Sequence, residues 1–457
     1  MTIIELSAGD TAWVLTAASL VFLMTPGLAM FYGGMTRAFS ALNMMMMSFA
    51  AMGVVAVLWI LYGFGLSFGP DVGGLFGDPR GFLGLSALFE QPEALYGDNI
   101  PVFAFVAFQA AFAIITVALV SGALADRMKF GAWLVFTGLW ATLVYFPAAH
   151  MVFSFDGYVS GKGGWIANDI TIGAVTGAID FAGGTAIHIN AGAAGLVAAL
   201  ILGRRIGFGS RPMRPHNMTL VMLGAGLLWF GWFGFNAGSA LAADGTASYV
   251  WVNTLGATGA AMIGWMLTEK LRDGRFTSLG AASGAVAGLV AITPSCVAVS
   301  PVGAIAIGLA AGVVCAMAVT WKFKLGYDDS LDVVGVHLVG GLVGTLLIGL
   351  FSVDDGLLYG HGPARLAVQA VGAFSLMAYS AVVTAVIVLS IKQVMGLRLS
   401  SADELAGIDL AEHAEAAYDL SNVRYASYPG LSHTVVVPAR EDFSPSATTT
   451  TDLGGQS

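Results

Sequence analysis

Two stretches decide the architecture: FAGGTAIHINAGAAGLVAALILG at 181–203 and LDVVGVHLVGGLVGTLLIGLF at 331–351. Each is apolar over about 20 residues, the length a helix needs to cross a bilayer. Each carries a single histidine, His188 or His337. An ionisable side chain at membrane depth is costly, faces the interior of a bundle rather than lipid, and marks a functional site by default. An aspartate accompanies each run, Asp180 before the first and Asp332 at the start of the second. The two runs hold matching positions in the two halves of the chain. The histidines are therefore read as polar lining, able to handle protons, along an otherwise greasy path.

The rest of the composition agrees. Of 457 residues 57% are hydrophobic and 10% are charged, and the mean hydropathy is +0.81. Soluble domains carry about 25% charge. The chain reads as an all-α polytopic membrane protein. Its net charge of −9 gathers in the C-terminal tail and the loops, and no nucleic-acid partner is expected. Cys296 and Cys315 both sit in apolar runs and read as small buried hydrophobes, with neither a disulfide nor a metal site implied. The acidic start MTIIELSAGD lacks the positive region of a signal peptide, so the first apolar run is expected to be a retained span.

Eleven runs are long enough to span, near 11–33, 43–69, 100–124, 130–152, 181–203, 217–241, 250–269, 277–297, 301–321, 331–352 and 364–391. Alternate connections, together with the stretch after the eleventh run, carry fourteen Lys and Arg, among them Arg204, Arg205, Arg211 and Arg214. The opposite side has Arg80, Lys162 and Arg365. The positive-inside rule then places the N-terminus outside and the C-terminus in the cytoplasm. Eleven spans suggest a 5+5 inverted repeat plus one, with Asp180 opening helix 5 from outside and Asp332 opening helix 10 from inside. Such repeats put the substrate path at their interface near the midplane. Glycine pairs such as Gly284/Gly288, Gly308/Gly312 and Gly340/Gly344 suit close helix packing. The expected organisation is a transmembrane domain over 1–399, a cytoplasmic regulatory tail over 400–420 and a disordered extension over 421–457.

Five motifs go beyond generic transport: DTAWVLTAASLVFLMTPGLAMFYGGMTR, DFAGGTAIHINAG, GWFGFNAGSA, DDSLDVVGVHLVGG and GIDLAEHAEAAY. Together, over roughly residues 10–420, the chain resembles the ammonium transporter (Amt/Mep/Rh) family, bacterial Amt type. The resemblance implies a homotrimer of eleven-helix protomers in the plasma (inner) membrane, with a narrow pore through each. It implies nitrogen uptake as ammonium or ammonia, no cofactor, and a PII-type signalling partner for the tail. By the same resemblance His188 and His337 line the pore, Phe112 and Phe235 gate it, and Ser239, Phe108, Phe112 and Asp180 form the external ammonium site. Family members often have tryptophan where Phe153 stands in AHMVF, and Trp165 in KGGWIA is an alternative. A phenylalanine face binds cations less well than indole.

Simpler roles compete at several positions. Ser239 could bond its own helix backbone, and Asp180 could be an N-cap, a role compatible with the functional one. His150, at the outer end of helix 4, reads as interfacial. Enzymatic chemistry is not expected, since the helices hold no HExxH motif and no serine–base pair. An ammonium sensor with little flux remains the alternative.

Overall fold

A bilayer offers no partner to free backbone groups, so apolar runs of this length close their hydrogen bonds within helices. The structure, a computed structural model, describes residues 6–90, 95–96, 99–157, 161–211 and 213–418. Ten of its helices are long and apolar enough to cross a membrane: α1 Ala8–Met35, α2 Ala38–Phe68, α3 Val102–Leu124, α4 Phe130–Phe153, α5 Gly184–Leu202, α6 Met218–Gly238, α7 Gly245–Asp273, α9 Pro301–Leu325, α10 Val334–Phe351 and α11 Ala364–Val394. Between α7 and α9 lies α8, Ser278–Ile292, a shorter apolar helix. The run over 277–297 was expected to be a full span. It ends early because Pro294 has no N–H with which to carry the helical hydrogen bonds on. Thr293 is still helical, at φ −50° and ψ −48°, and its N–H donates to the Leu289 carbonyl; the chain turns from there. Two short helices follow, α12 Ser401–Ala406 and α13 Ile408–His413. The expected extension over 421–457 lies outside the described residues.

Helices five apart in chain order meet. α1 packs along α6, and the first turns of α5 meet those of α10; α3 lies beside α1 as α8 lies beside α6, and α2 touches α4 as α7 touches α9. Small residues allow these approaches. A side chain at Gly224 would strike the Phe31 backbone nitrogen at 2.3 Å. Gly308 and Gly312 of α9 rest on the carbonyl oxygens of Ala257 and Ala261 in α7, where a Cβ would lie within 2.1 and 2.2 Å.

The connections separate onto two faces. On one, the loop face, Ser7 N–H donates to Asn99, Val353 N–H to Ala298 and Arg365 to the Gly177 carbonyl. On the other, the tail face, Asn217 N–H donates to Gly34, Lys129 N–H to Leu397 and Leu331 N–H to Gly122. Here Arg127 is fully buried and donates to the carbonyls of Gly203, Ala125 and Asp328 and to Ser330. Burial pushes its guanidinium down to about 10.

The acidic tail joins this face. Asp409 accepts the N–H groups of Leu42 and Asn43 at 3.1 and 2.7 Å, satisfying donors at the start of α2. Glu412 accepts Phe130 N–H, at the start of α4. Glu404 takes Ile206 N–H and pairs with Arg398 at 2.6 Å. The basic segment over 204–214 thus meets the tail through a backbone amide, while Arg204 turns to the Gly326 carbonyl.

Candidate substrate pore

The two histidine-bearing helices begin alike. Asp180 accepts the N–H groups of Gly183, Thr185 and Ala186 at 2.8–3.1 Å, and α5 then opens with a wide π-helical turn over Gly184–Ile189. Gly183 has φ +119°, a conformation that L side chains rarely adopt. In α10 the π-helical turn is Val334–Leu338, but its cap is Asp329, which accepts Val333 N–H at 3.0 Å and Val334 N–H at 2.7 Å. Asp332, expected to open this helix, instead has φ +64° and pairs with Lys322 at 2.5 Å. The true equivalence was present in the sequence: Asp180 precedes His188, and Asp329 precedes His337, by the same eight positions. π-turns of this kind occur often at functional sites because they re-aim side chains.

Here they bring the imidazoles together. His188 and His337 are 1% and 4% exposed, and their Nδ1 atoms lie 3.2 Å apart. At this distance one ring nitrogen can donate to the other, with the roles set by the tautomers. The rings stack with centroids 5.3 Å apart. His188 Nε2 has no hydrogen-bond partner among the described residues.

An aromatic column continues from the pair. His188 stacks on Trp232 at 5.4 Å and Phe235 at 6.0 Å. Phe235 meets Phe112 at 4.3 Å, and Phe112 meets Phe108 at 4.7 Å. These rings are all nearly or fully buried. On one side of the Phe112–Phe235 contact is a small apolar chamber of about 10 Å³ lined by Ile115, Ile187, Trp232 and both histidines, room for about one water. On the other a cavity of about 990 Å³ lies at the loop face.

Of the residues singled out from sequence, Phe108, Phe112, Phe153, Asp180 and Ser239 line this larger cavity. The Ser239 hydroxyl donates to the Phe235 carbonyl at 2.9 Å, so what its oxygen still offers is acceptor capacity. Trp165 is not part of the lining; its N–H donates to the Gly74 carbonyl at 3.1 Å. His150 is buried, not interfacial. Its Nδ1 meets the Ser67 carbonyl and its Nε2 meets Asp71, both at 3.0 Å, fastening the 71–77 hairpin to the end of α4. Trp232 was missed. Its position three residues before Phe235 puts both on one helix face, a signal that was available. Its indole N–H donates to Thr293 at 2.9 Å, which sets the ring against His188. Among the described residues no group of His, Cys, Asp and Glu could hold a metal ion.

A membrane-embedded helical bundle with a buried, aromatic-capped polar pair is the architecture of a transporter for a small solute, and comparison with known proteins gives its family. The profile described as the Ammonium Transporter Family matches residues 12–418. The chain is 57% identical over 438 residues to the ammonium transporter of Mycobacterium tuberculosis, covering 90% of this chain and 91% of that one. It is 47% identical over 427 residues to the ammonium transporter of Aquifex aeolicus, covering 91% and 95%. Among solved structures it is similar to Candida albicans Mep2 (TM-score 0.79, 32% identity, 92% and 93% covered) and to one titled Sensor Amt Protein (TM-score 0.79, 29% identity, 89% and 98% covered). The chain belongs to the ammonium transporter family.

Proposed function

We propose that this chain carries ammonium across the plasma (inner) membrane for nitrogen uptake, the ion losing its proton at the Phe112–Phe235 gate and crossing the histidine chamber as ammonia. The observation that carries the reading is the uninterrupted column Phe108–Phe112–Phe235–His188–His337, which joins a wide polar cavity to a chamber of about one water. A bare ion in such a chamber would cost tens of kcal/mol. Aromatic faces in the cavity offset about 0.5–2 kcal/mol of this per contact, far too little. Neutral ammonia removes the problem. The imidazole pair then supplies hydrogen-bond partners and a route for the released proton, and potassium, which has no proton to lose, is excluded.

The external site in this reading is Ser239, accepting an N–H of the ion, with Phe108, Phe112 and Phe153 offering ring faces. Asp180 holds the backbone beneath them and contributes negative potential. Trp165 serves the site only indirectly, through the hairpin at Gly74. The membrane arrangement is eleven crossings in a 5+5 inverted repeat plus one, with α8 as the short crossing, the loop face outside and the tail face in the cytoplasm. Residues 1–399 form the transport domain and 400–420 a regulatory tail. The assembly is a homotrimer regulated by a PII-type protein at the tail face. The likeness to the structure titled Sensor Amt Protein favours one second reading, a sensor with little flux.

Ammonium-evoked current in proteoliposomes, with potassium as control and His188→Ala alongside, separates these readings. A saturable current absent with potassium and altered in the variant supports transport through the histidine chamber. Internal alkalinisation without current means flux of the neutral gas alone, and silence in both assays favours the sensor. A variant that transports like its parent removes the histidine role.

A further inference from the structure

Among the described residues the wall of the larger cavity carries three ionisable side chains, and they are not equivalent. Asp180 is 6% exposed, and its oxygens are taken by three backbone N–H groups. Arg365 is 7% exposed, pairs with Asp355 at 2.6 Å and donates to the Gly177 carbonyl. Asp156 is exposed, lines the cavity between Phe155 and Gly157, and has no cationic partner among the described residues. Lys162 lies 3.4 Å from Asp169.

Asp156 is also held in place. Its N–H donates to Asn168 Oδ1 at 3.2 Å, and its Oδ1 accepts Gly163 N–H at 2.7 Å. Asn168 in turn donates to the carbonyls of Ser154 and Gly164 at 2.9 and 2.7 Å, and Gly164 N–H closes back on Ser154 at 2.8 Å. Oδ2 takes no hydrogen bond among the described residues. The result is a carboxylate at a fixed point on the cavity wall with one oxygen unengaged, next to Phe153 and Phe155.

We infer that Asp156 is a cation-recruiting residue of this cavity, drawing small monovalent cations, ammonium among them, to the Phe153 and Phe155 faces. The inference rests on the reading of this cavity as the entrance. Phenylalanine attracts cations weakly. A fixed carboxylate in a concave wall focuses potential into the cavity and raises the local cation concentration. Over a Debye length of about 8 Å that field reaches much of the cavity at physiological salt and shrinks as salt rises.

The test is the concentration dependence of ammonium transport in proteoliposomes for the parent, Asp156→Asn, Asp156→Glu and Ser239→Ala, each at low and high salt. Asparagine keeps an acceptor for Gly163 N–H and removes only the charge. The expected result is a KM raised about three- to tenfold with kcat unchanged, a flatter salt dependence of KM, and recovery in the glutamate variant. An unchanged KM in Asp156→Asn, or a fall in kcat alone, overturns the inference. If Ser239→Ala raises KM while Asp156→Asn does not, only the role of Asp156 fails; if neither moves KM, the cavity is not the entrance and the underlying reading fails with it.

Discussion

Asp180 and Asp329 stand in the same relation to the two halves of the molecule. Each caps a π-opened helix through its first backbone N–H groups, and each lies eight positions before the histidine that its helix delivers to the shared pair. Neighbouring contacts repeat the relation: Phe181 N–H donates to Pro294 at the end of α8, as Leu331 N–H donates to Gly122 at the end of α3. The paired histidines are thus set by two copies of one device.

Neutralising either cap should therefore have comparable effects. Asparagine has one acceptor oxygen where aspartate has two, so Asp180→Asn and Asp329→Asn each leave at least one buried N–H unsatisfied, at about 1–3 kcal/mol. Thermal unfolding of the purified variants checks the match. Asp180→Asn, whose residue also lines the larger cavity, should in addition weaken ammonium affinity, and Asp329→Asn should not.

Phe235 touches Phe112, Trp232 and His188. Phe235→Ala should cost about 3–5 kcal/mol as a buried ring is lost. It should also join the two cavities and admit water. Potassium-driven current, absent in the parent, is the expected readout; a stable variant that still excludes potassium would remove Phe235 from the gate.

Asp409 reaches from the tail to cap α2. Asp409→Ala should destabilise tail docking by about 0.5–2 kcal/mol, the usual worth of a cap. Limited proteolysis between residues 400 and 418 should then proceed several-fold faster than in the parent while the remaining helices stay protected.

Asp328 lies outside the crossings, paired with Arg205 at 2.9 Å. Burial pushes its carboxyl up, but the hydrogen bonds and charge of Arg205 outweigh this and hold it below its ordinary value of 3.8. The folded form therefore binds this proton less tightly than the unfolded form. The stability it contributes is complete above about pH 4 and is lost as pH falls through the depressed folded value. Asp328→Asn should cost about 1–3 kcal/mol at pH 7, because Arg205 loses charged hydrogen bonds but keeps Asp126 at 3.1 Å. Its stability should also fall less steeply than that of the parent below pH 4, as read by unfolding across a pH series.

Much of this was legible in the chain itself. The apolar runs, the two intramembrane histidines, the phenylalanines of FQAAFAIIT and GWFGFNAGSA and the acidic tail are local features. Length and composition determine them, because a lipid-facing backbone must close its own hydrogen bonds within each run. The sequence by itself thus determined a polytopic helical protein and the residues from which its buried column of rings is built. Tertiary structure decided the pairings. That Asp329 rather than Asp332 caps α10, that Trp232 lies against His188, that His150 is buried on Asp71 and that Asp156 borders the cavity while Trp165 does not all depend on segments tens to hundreds of residues apart. Such contacts follow from how glycine-lined helices approach and from where Pro294 stops α8, and no single run of residues encodes them.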